Sequence, residues 1–256
     1  MTYRTDTPAD REIEHGRKIA RYDPECVWGW KTPAGQRRAR RRAELIADSA
    51  RLAPGVNALE IGCGSGLFTA MFIQKGARLL AVDISADLLA QARQRALPEE
   101  RVQFLEKRFE DCDVQGPFDA VVGSSVLHHL DLEGSLEKIY GLLRSGGIMS
   151  FAEPNMLNPQ ILAQKNIPWL KHRMGDSPDE TAFFRWSLQR LMEKAGFRRV
   201  TITPFDWLHP ATPPVLINSI ERAGKILERL PVIREFAGSL HIVGYKDSGS
   251  ECRRNG

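Results

Sequence analysis

Three glycines and an aspartate are spaced so that they can hold a nucleoside. Gly62, Gly64 and Gly66 follow a short apolar run in the segment LEIGCGSGLF, residues 59–68. A strand, a glycine-rich turn and a helix in this order aim backbone N–H groups and the positive end of the helix at one point. Glycine lets a ligand approach the backbone closely. Asp83 ends the next apolar run, where its carboxylate can accept hydrogen bonds from both hydroxyls of a ribose.

The spacing of these glycines argues against a dinucleotide. A pyrophosphate-binding turn has the pattern G-x-G-x-x-G, whereas this chain has G-x-G-x-G followed at once by Leu67. Glu60, just before the turn, would add negative charge beside a phosphate but would suit an ammonium group. The pattern therefore favours a nucleoside with a cationic, amino-acid-bearing tail, and a nicotinamide cofactor is the alternative.

Apolar runs and amphipathic segments alternate around this turn. The predicted strands are NALEIG, RLLAVDIS, VQFLEKRF, FDAVVGSS and IMSFAEPN, with RRVTITPFDW and SLHIVGYK later in the chain. The predicted helices include LFTAMFIQKG, SADLLAQARQRA, SLEKIYGLLRSGG and SLQRLMEKAGF. This alternation predicts a parallel sheet with helices on both faces, and ligands bind such sheets at the carboxyl ends of the strands.

Taken in order, six segments resemble the class I S-adenosylmethionine-dependent methyltransferases. They are ALEIGCGSG, AVDIS, RFEDCD, FDAVVGSSVLHHL, LLRSGGIMSFAEPN and EKAGF, and they span about residues 55–205. The resemblance implies an α/β, Rossmann-like fold with a seven-stranded, mostly parallel sheet, an antiparallel last strand, and added helical lid and insert elements. It also implies S-adenosyl-L-methionine as the cofactor, and no metal is expected.

The resemblance also assigns contacts to the cofactor. In such enzymes the glycine turn lies along the methionine part, and the acid at position 83 binds the ribose. Arg108 departs from the pattern, because the family often has an acid there that contacts adenine; Phe109 and either Glu110 or Asp111 are expected to take over. The expected cofactor contacts are Glu60, Gly62, Cys63, Gly64, Gly66, Asp83, Ile84, Phe109, Glu110, Ser124 and Tyr22.

His128 and His129 follow the fourth predicted strand and are the candidate catalytic residues. Histidine titrates near neutral pH and can accept a proton from a hydroxyl as the methyl group arrives. We expect His129 to be the base ahead of His128, although either ring can instead pack against the cofactor or cap a helix. Transfer from a sulfonium does not strictly need a base. Glu153 and Asn155 face the same cleft, where Glu153 either holds the acceptor or pairs with an arginine.

The chain divides into a core domain with additions. Residues 1–35 are predicted to form an N-terminal arm and lid, with no helical period in about the first 20 residues. Residues 36–246 form the methyltransferase domain, whose inserts at about 154–186 and 211–237 are expected to shape the acceptor side. Residues 247–256 are predicted to be a disordered tail.

Aromatic and basic side chains mark these additions. Tyr22, Trp28 and Trp30 are expected to close over the cofactor or to plug the core. The arginines in residues 37–42 are expected to form a solvated helix face, with one or two of them touching the cofactor carboxylate or an anionic acceptor. The candidate acceptor-side residues are Trp169, Phe183, Phe184, Trp207 and His209.

A helical stripe near the C-terminus is expected to cover the acceptor pocket or to form a subunit contact in a homodimer. It consists of Leu216, Ile220, Ala223, Leu227 and Leu230. The segment that carries it mixes acids with bases, which argues against a membrane-surface helix.

Composition sets the remaining expectations. The chain has 256 residues, a net charge of +4 and four cysteines that form no CxxC pair, and it has no signal peptide or membrane-spanning run. We therefore expect a cytoplasmic methyltransferase that acts on a small molecule, at oxygen rather than carbon or nitrogen, and that has no specific nucleic-acid partner. The alternatives are a nicotinamide-dependent oxidoreductase and a non-catalytic S-adenosylmethionine-binding protein.

Overall fold

The computed structural model describes residues 7–167, 169 and 181–248, and the strands among them form one sheet. They are β1 (Asn57–Ile61), β2 (Arg78–Asp83), β3 (Val102–Glu106), β4 (Phe118–Ser124), β5 (Leu143–Pro154), β6 (Arg198–Phe205) and β7 (Ser239–Tyr245). Their order across the sheet is β3-β2-β1-β4-β5-β7-β6. Among these described strands β7 runs antiparallel to both of its neighbours, β5 and β6, and the other neighbouring pairs are parallel. The predicted mostly parallel, seven-stranded sheet with an antiparallel last strand is therefore confirmed.

Helices lie on both faces of this sheet. Those described are α1 (Pro8–Ala20), α2 (Pro24–Val27), α3 (Pro33–Ser49), α4 (Leu67–Phe72), α5 (Ala86–Gln94), α6 (Leu132–Leu142), α7 (Pro159–Asn166), α8 (Arg185–Lys194) and α9 (Pro214–Leu227). Along β1, Leu59 and Ile61 point to the face covered by α6 and α8, whereas Ala58 points to the face covered by α3, α4 and α5. Burying one large apolar side chain stabilises the fold by about 1.5–3 kcal/mol, so both faces contribute to the core.

The N-terminal segment is a helix in its described part. Thr7 and Asp10 form a reciprocal capping box, in which each side chain accepts a hydrogen bond from the other residue's backbone N–H. α1 packs closely against the start of α5, because a Cβ on Gly16 would lie only 2.7 Å from the Ser85 hydroxyl. The prediction of an arm without helical period is therefore wrong for this part, and residues 1–6 lie outside the described residues.

Other sequence predictions fall partly outside the described residues. The insert at 154–186 contains α7, but its residues 168 and 170–180 are not described, and neither is the tail from residue 249 onward. No helix among the described residues is both long enough and apolar enough to cross a membrane. Cys26 is exposed and Cys63 and Cys112 are buried, and all three are free thiols.

Candidate cofactor and active site

The turn between β1 and α4 gives its glycines different surroundings. The φ angles of Gly62, Gly64 and Gly66 are 68°, 51° and 76°, in the left-handed region that favours glycine. A Cβ on Gly62 would lie 2.3 Å from the Val126 side chain. A Cβ on Gly64 would meet only the Trp28 ring, at 3.4 Å. Packing therefore requires glycine at position 62, whereas position 64 opens towards a cavity.

A cavity of about 680 Å³ adjoins this turn. Pockets that hold small molecules measure roughly 300–1,000 Å³, so a nucleoside cofactor and a small acceptor fit together in this volume. The predicted site residues on its wall are Gly62, Cys63, Gly64, Asp83, Ile84, Phe109, Glu110, Ser124, His128 and His129. The structure thus brings together ten of the residues expected to form the site.

Three expected cofactor contacts do not lie on the cavity wall. Gly66 faces α5, where a Cβ would come within 3.0 Å of Ala92. Tyr22 is 73% exposed, away from the cavity. Glu60 is buried behind the turn, because strand alternation points it towards α4. Burial raises the pKa of Glu60 to about 8, with Asp83 adding to the shift, so Glu60 is mostly protonated at neutral pH.

Asp83 connects the glycine turn to the next crossover. Its Oδ2 accepts a hydrogen bond from the Gly64 N–H at 2.7 Å, and its Oδ1 accepts one from the Ser85 N–H at 2.9 Å. Burial raises the pKa of Asp83, while these two N–H donors oppose the rise. The carboxylate is therefore held rigidly on the cavity wall, where a ribose would reach it.

Beyond Asp83, the wall is formed by the residues after β3. Phe109 is buried there, and Arg108 forms ion pairs with Glu110 and Asp111, at 3.2 and 3.5 Å. Glu110 also accepts a hydrogen bond from the Asp131 N–H. Of the two acids expected to replace the missing adenine contact, Glu110 lines the cavity and Asp111 does not.

His128 forms a buried pair with Glu153. Nδ1 of His128 lies 2.6 Å from Oε2 of Glu153, whose other oxygen accepts hydrogen bonds from the N–H groups of Val126 and Leu127. Burial works to raise the pKa of Glu153, but His128 and these donors outweigh it and hold the pKa below its usual value. A charged Glu153 favours a proton on Nδ1, which in the neutral ring leaves the lone pair on Nε2. Glu153 thus bonds to a histidine and not to an arginine, so that alternative is wrong, and Glu153 does not itself line the cavity where an acceptor would be held.

His129 faces the N-terminal helix instead. Its Nδ1 lies 3.1 Å from Oε2 of Glu12 in α1, and its ring centroid is 4.2 Å from that of His128. Glu12 and His129 both line the cavity, so their contact joins α1 to the site. This contact depends on the helix α1, which was not predicted from the sequence.

α3 contributes a buried arginine to the cavity wall. The guanidinium of Arg42 donates hydrogen bonds to the hydroxyls of Ser124, Ser125 and Ser239 and to the carbonyl of Ala152, at 2.6–3.3 Å. These acceptors are neutral, and the Arg42 Nε has no hydrogen-bond partner. Burial lowers the pKa of Arg42 to about 10, so it stays charged at neutral pH. The charges of Asp206 and Glu153 act on Arg42 from a distance, but no carboxylate bonds to it directly. A buried cation with an unpartnered Nε on a cavity wall is suited to an anionic ligand.

Two further arginines of the cluster at 37–42 form ion pairs with acids of the protein. Arg38 donates to Asp206 at 2.7 Å, and Arg41 pairs with both carboxylate oxygens of Glu228. The Trp30 ring lies 5.4 Å from the Arg38 guanidinium carbon, at cation–π distance. The expectation of a solvated face is therefore wrong for Arg38, Arg41 and Arg42. The spacing placed Arg42 beside the buried alanines of α3, and that signal could have been read from the sequence.

Further wall residues come from α7, in the first predicted insert, and from the segment that follows β6. α7 contributes Gln160, and its Nε2 lies 3.0 Å from Nε2 of His209. Trp207 and His209, two of the acceptor-side candidates, line the cavity. The other three lie elsewhere: Phe183 packs against the core, Phe184 is 43% exposed and Trp169 is 67% exposed.

Within the described part of the chain, no three His, Cys, Asp or Glu side chains lie close enough together to hold a metal ion. The expected metal-free site stays a prediction.

Known proteins share parts of this chain and its fold. Residues 59–149 match the family described as a methyltransferase domain. Over 99 residues the chain is 38% identical to malonyl-[acyl-carrier protein] O-methyltransferase from Magnetococcus marinus, covering 37% of this chain and 36% of that protein. Over 117 residues it is 31% identical to ubiquinone biosynthesis O-methyltransferase from Nitrobacter winogradskyi, covering 45% of each. The chain thus spans less than half the length of these two curated relatives.

One solved structure extends the likeness over the whole fold. The N-methyltransferase NodS from Bradyrhizobium japonicum WM9, in complex with S-adenosyl-L-homocysteine, superimposes with a TM-score of 0.63 at 15% identity. The superposition covers 93% of this chain and 99% of NodS. The glycine turn lies within the matched methyltransferase domain, residues 59–149, and the superposition extends the likeness in fold over most of the chain.

Proposed function

We propose that the protein transfers the methyl group of S-adenosyl-L-methionine to an oxygen atom of a small-molecule acceptor. One observation carries this proposal: a single cavity has both the Gly64–Asp83 turn and the buried His128–Glu153 pair on or against its wall. Oxygen is favoured because both curated relatives described above are named O-methyltransferases. A histidine that can take up a proton also suits a hydroxyl acceptor.

The residues present fit the cofactor. Asp83 would hold the ribose hydroxyls, Phe109 would contact the adenine, and Gly64 leaves the backbone open to the methionine part. Arg42 would hold the methionine carboxylate, because its buried charge directly contacts only neutral oxygens. When bound, the cofactor supplies an electrophilic methyl group on a sulfonium.

The proposed base is His128 rather than His129. Glu153 holds Nδ1 of His128 and so leaves Nε2 as the proton acceptor. His129 instead pairs with Glu12 and would position α1 over the site. The acceptor hydroxyl would give its proton to Nε2 of His128, and Glu153 would stabilise the positive charge on the ring. The methyl group would pass from the sulfonium to the acceptor oxygen, the S–CH3 bond breaking to leave S-adenosyl-L-homocysteine. Trp28, near Gly64, would help to exclude water.

Calorimetry followed by a transfer assay tests the proposal. S-adenosyl-L-homocysteine should bind to the wild-type protein and NAD should not. Asp83→Ala should weaken that binding by about 10- to 100-fold, as expected for lost charge-assisted hydrogen bonds. Asp87→Ala is the matched control, because Asp87 is exposed on α5. Preferential binding of NAD would favour the oxidoreductase.

The transfer assay separates an enzyme from a binding protein. Methyl-tritiated cofactor is incubated with the protein and with panels of phenols, carboxylic acids and amines, and label in the extracted acceptor is counted. Label on hydroxyl or carboxyl compounds supports O-methylation, whereas label on amines alone would contradict it. Tight binding of S-adenosyl-L-homocysteine with no transfer to any acceptor would favour the non-catalytic alternative. A cytoplasmic location and a homodimer stay predictions.

A further inference from the structure

Helix α9 turns an apolar surface towards solvent. Its buried positions are Ile217 and Gly224, so the stripe expected to cover the acceptor pocket does not face inward as a whole. We call the exposed set the apolar strip; it consists of Val215, Leu216, Ile226 and Leu230, which are 85%, 47%, 60% and 41% exposed. Four large aliphatic side chains exposed along one helix and just beyond its end indicate a contact with something apolar.

The acidic and basic side chains of the same segment have different surroundings. Glu221 pairs with Arg37 at 3.8 Å, and Glu228 accepts from Arg41 and from the Asp206 N–H. These acids are therefore partly buried and balanced within the protein. The exposed charged residues of this segment are all basic, and we call them the basic strip: Arg222, Lys225 and Arg229.

Helical geometry places the two strips side by side. At about 100° per residue within α9, Val215, Leu216 and Ile226 occupy one quadrant of the outer face, and Arg222 and Lys225 occupy the adjacent quadrant. Arg229 and Leu230 follow just beyond the end of the helix. Helices that lie in a lipid interface combine an apolar face with a lysine- and arginine-rich polar face. The mixed charges in the sequence argued against this interpretation, but pairing removes the acids from the outer face.

The apolar surface continues towards the cavity. After α9, Val232 is 74% exposed, and Phe236 is 42% exposed in the next short turn. The carbonyl of Phe236 accepts a hydrogen bond from Nδ2 of Asn158, which caps α7 and lines the cavity. On α7, Leu162 is 45% exposed. The exposed apolar side chains therefore extend from α9 to the helix that forms part of the cavity wall.

We propose that this face docks the protein peripherally on an anionic lipid surface. The apolar strip enters the head-group boundary, and the basic strip contacts the anionic head groups. A second copy of the chain is a poorer occupant, because a two-fold contact through the apolar strip would bring two basic strips together. If the proposed methyl transfer holds, an apolar acceptor can reach the cavity from the lipid.

Vesicle co-sedimentation of the full chain tests the proposal. The wild-type protein should pellet with phosphatidylcholine vesicles that contain phosphatidylglycerol, less with phosphatidylcholine alone, and less as salt is raised. The triple variant R222E/K225E/R229E should bind the anionic vesicles at least tenfold more weakly, since each basic residue contributes about fivefold. Ile226→Ser combined with Val215→Ser should also weaken binding.

A matched control reverses three positive charges on another part of the surface. Arg78, Arg93 and Arg101 are exposed on the far part of the sheet and α5, and R78E/R93E/R101E should bind the anionic vesicles more tightly than the R222E/K225E/R229E variant. Equal loss in both triple variants, or equal pelleting with neutral and anionic vesicles, would overturn the docking surface. A dimer that Ile226→Ser dissociates, measured by analytical ultracentrifugation, would make a second copy the occupant and would also overturn it. Calorimetry with S-adenosyl-L-homocysteine on every variant verifies folding and tests the proposed function separately.

Discussion

Two parts of the cavity wall are built from contacts of very different sequence separation. On the glycine-turn side, Asp83 bonds to Gly64, 19 positions away, and to its near neighbour Ser85. On the opposite side of β4, Arg42 bonds to Ser239, which is 197 positions away. Contacts of the first kind follow from one strand–turn–helix unit. Contacts of the second kind exist only after α3 has packed against the assembled sheet. Residues on the α3 side of the wall can therefore be substituted without disturbing the glycine turn.

The two parts also hold charge differently. The Asp83 carboxylate is fixed by backbone N–H groups, which every residue except proline has. The Arg42 guanidinium is fixed by side-chain hydroxyls, which depend on the serines at the ends of β4 and β7. The hydrogen bonds to Asp83 should therefore survive most side-chain substitutions outside the glycines of the turn, whereas those of Arg42 should be sensitive to single serine substitutions.

The largest effect is expected at the histidine pair. His128→Gln should lower kcat by about 10²- to 10⁴-fold, because it removes the proton acceptor that Glu153 orients. The dissociation constant of S-adenosyl-L-homocysteine should change little. Initial rates with methyl-tritiated cofactor measure the effect, and His129→Gln is the matched variant. A greater loss of turnover in His129→Gln would instead identify His129 as the base, which is the prediction made from the sequence.

Substitutions in the turn should separate binding from folding. Gly64→Val should weaken S-adenosyl-L-homocysteine binding on the order of 100-fold, because its side chain enters the cavity. Gly62→Val carries a similar backbone strain but also meets Val126, so it should lower Tm much more. Calorimetry and thermal unfolding of both variants provide the comparison. Similar Tm values for the two variants would mean that the Val126 side chain moves aside and that packing does not require Gly62.

A smaller effect should distinguish the α3 side from the turn. Arg42→Met should weaken S-adenosyl-L-homocysteine binding by about tenfold or more, since it removes charge-assisted hydrogen bonds to the methionine carboxylate. Binding of adenosine, which lacks that carboxylate, should be unchanged. Arg37→Met, on the exposed side of the same helix, is the control. Equal weakening of both ligands by Arg42→Met would indicate that the arginine only supports the fold.

The smallest effect concerns Glu60 and pH. Its pKa is about 8 in the folded protein and 4.5 as a free group, so the folded state keeps a proton that the unfolded state releases. The free energy of unfolding should therefore fall as pH rises from 4.5 to about 8. Glu60→Gln should reduce this slope, as thermal unfolding across that range would measure. An unchanged slope would place the titration on another group.

Much of the fold was readable because its signals are local. Apolar runs predicted the strands, and the glycine spacing with Asp83 predicted residues that the fold brings together on one cavity wall. The α1 helix was readable as well, since Thr7, Pro8 and Asp10 form an N-terminal capping signal that outweighs the weak apolar period. Tyr22 was placed wrongly because an aromatic residue in a flanking segment has no local signal for the side it faces.

Tertiary structure alone decided the pairings that give the cavity its chemistry. The sequence determined which residues end the strands, because a strand's period and a turn's glycines act over a few positions. It did not determine that Glu153 selects His128, that Arg42 is buried among serines, or that the acids of α9 turn inward. These arrangements depend on which distant elements meet, and burial and charge pairing act through space rather than along the chain.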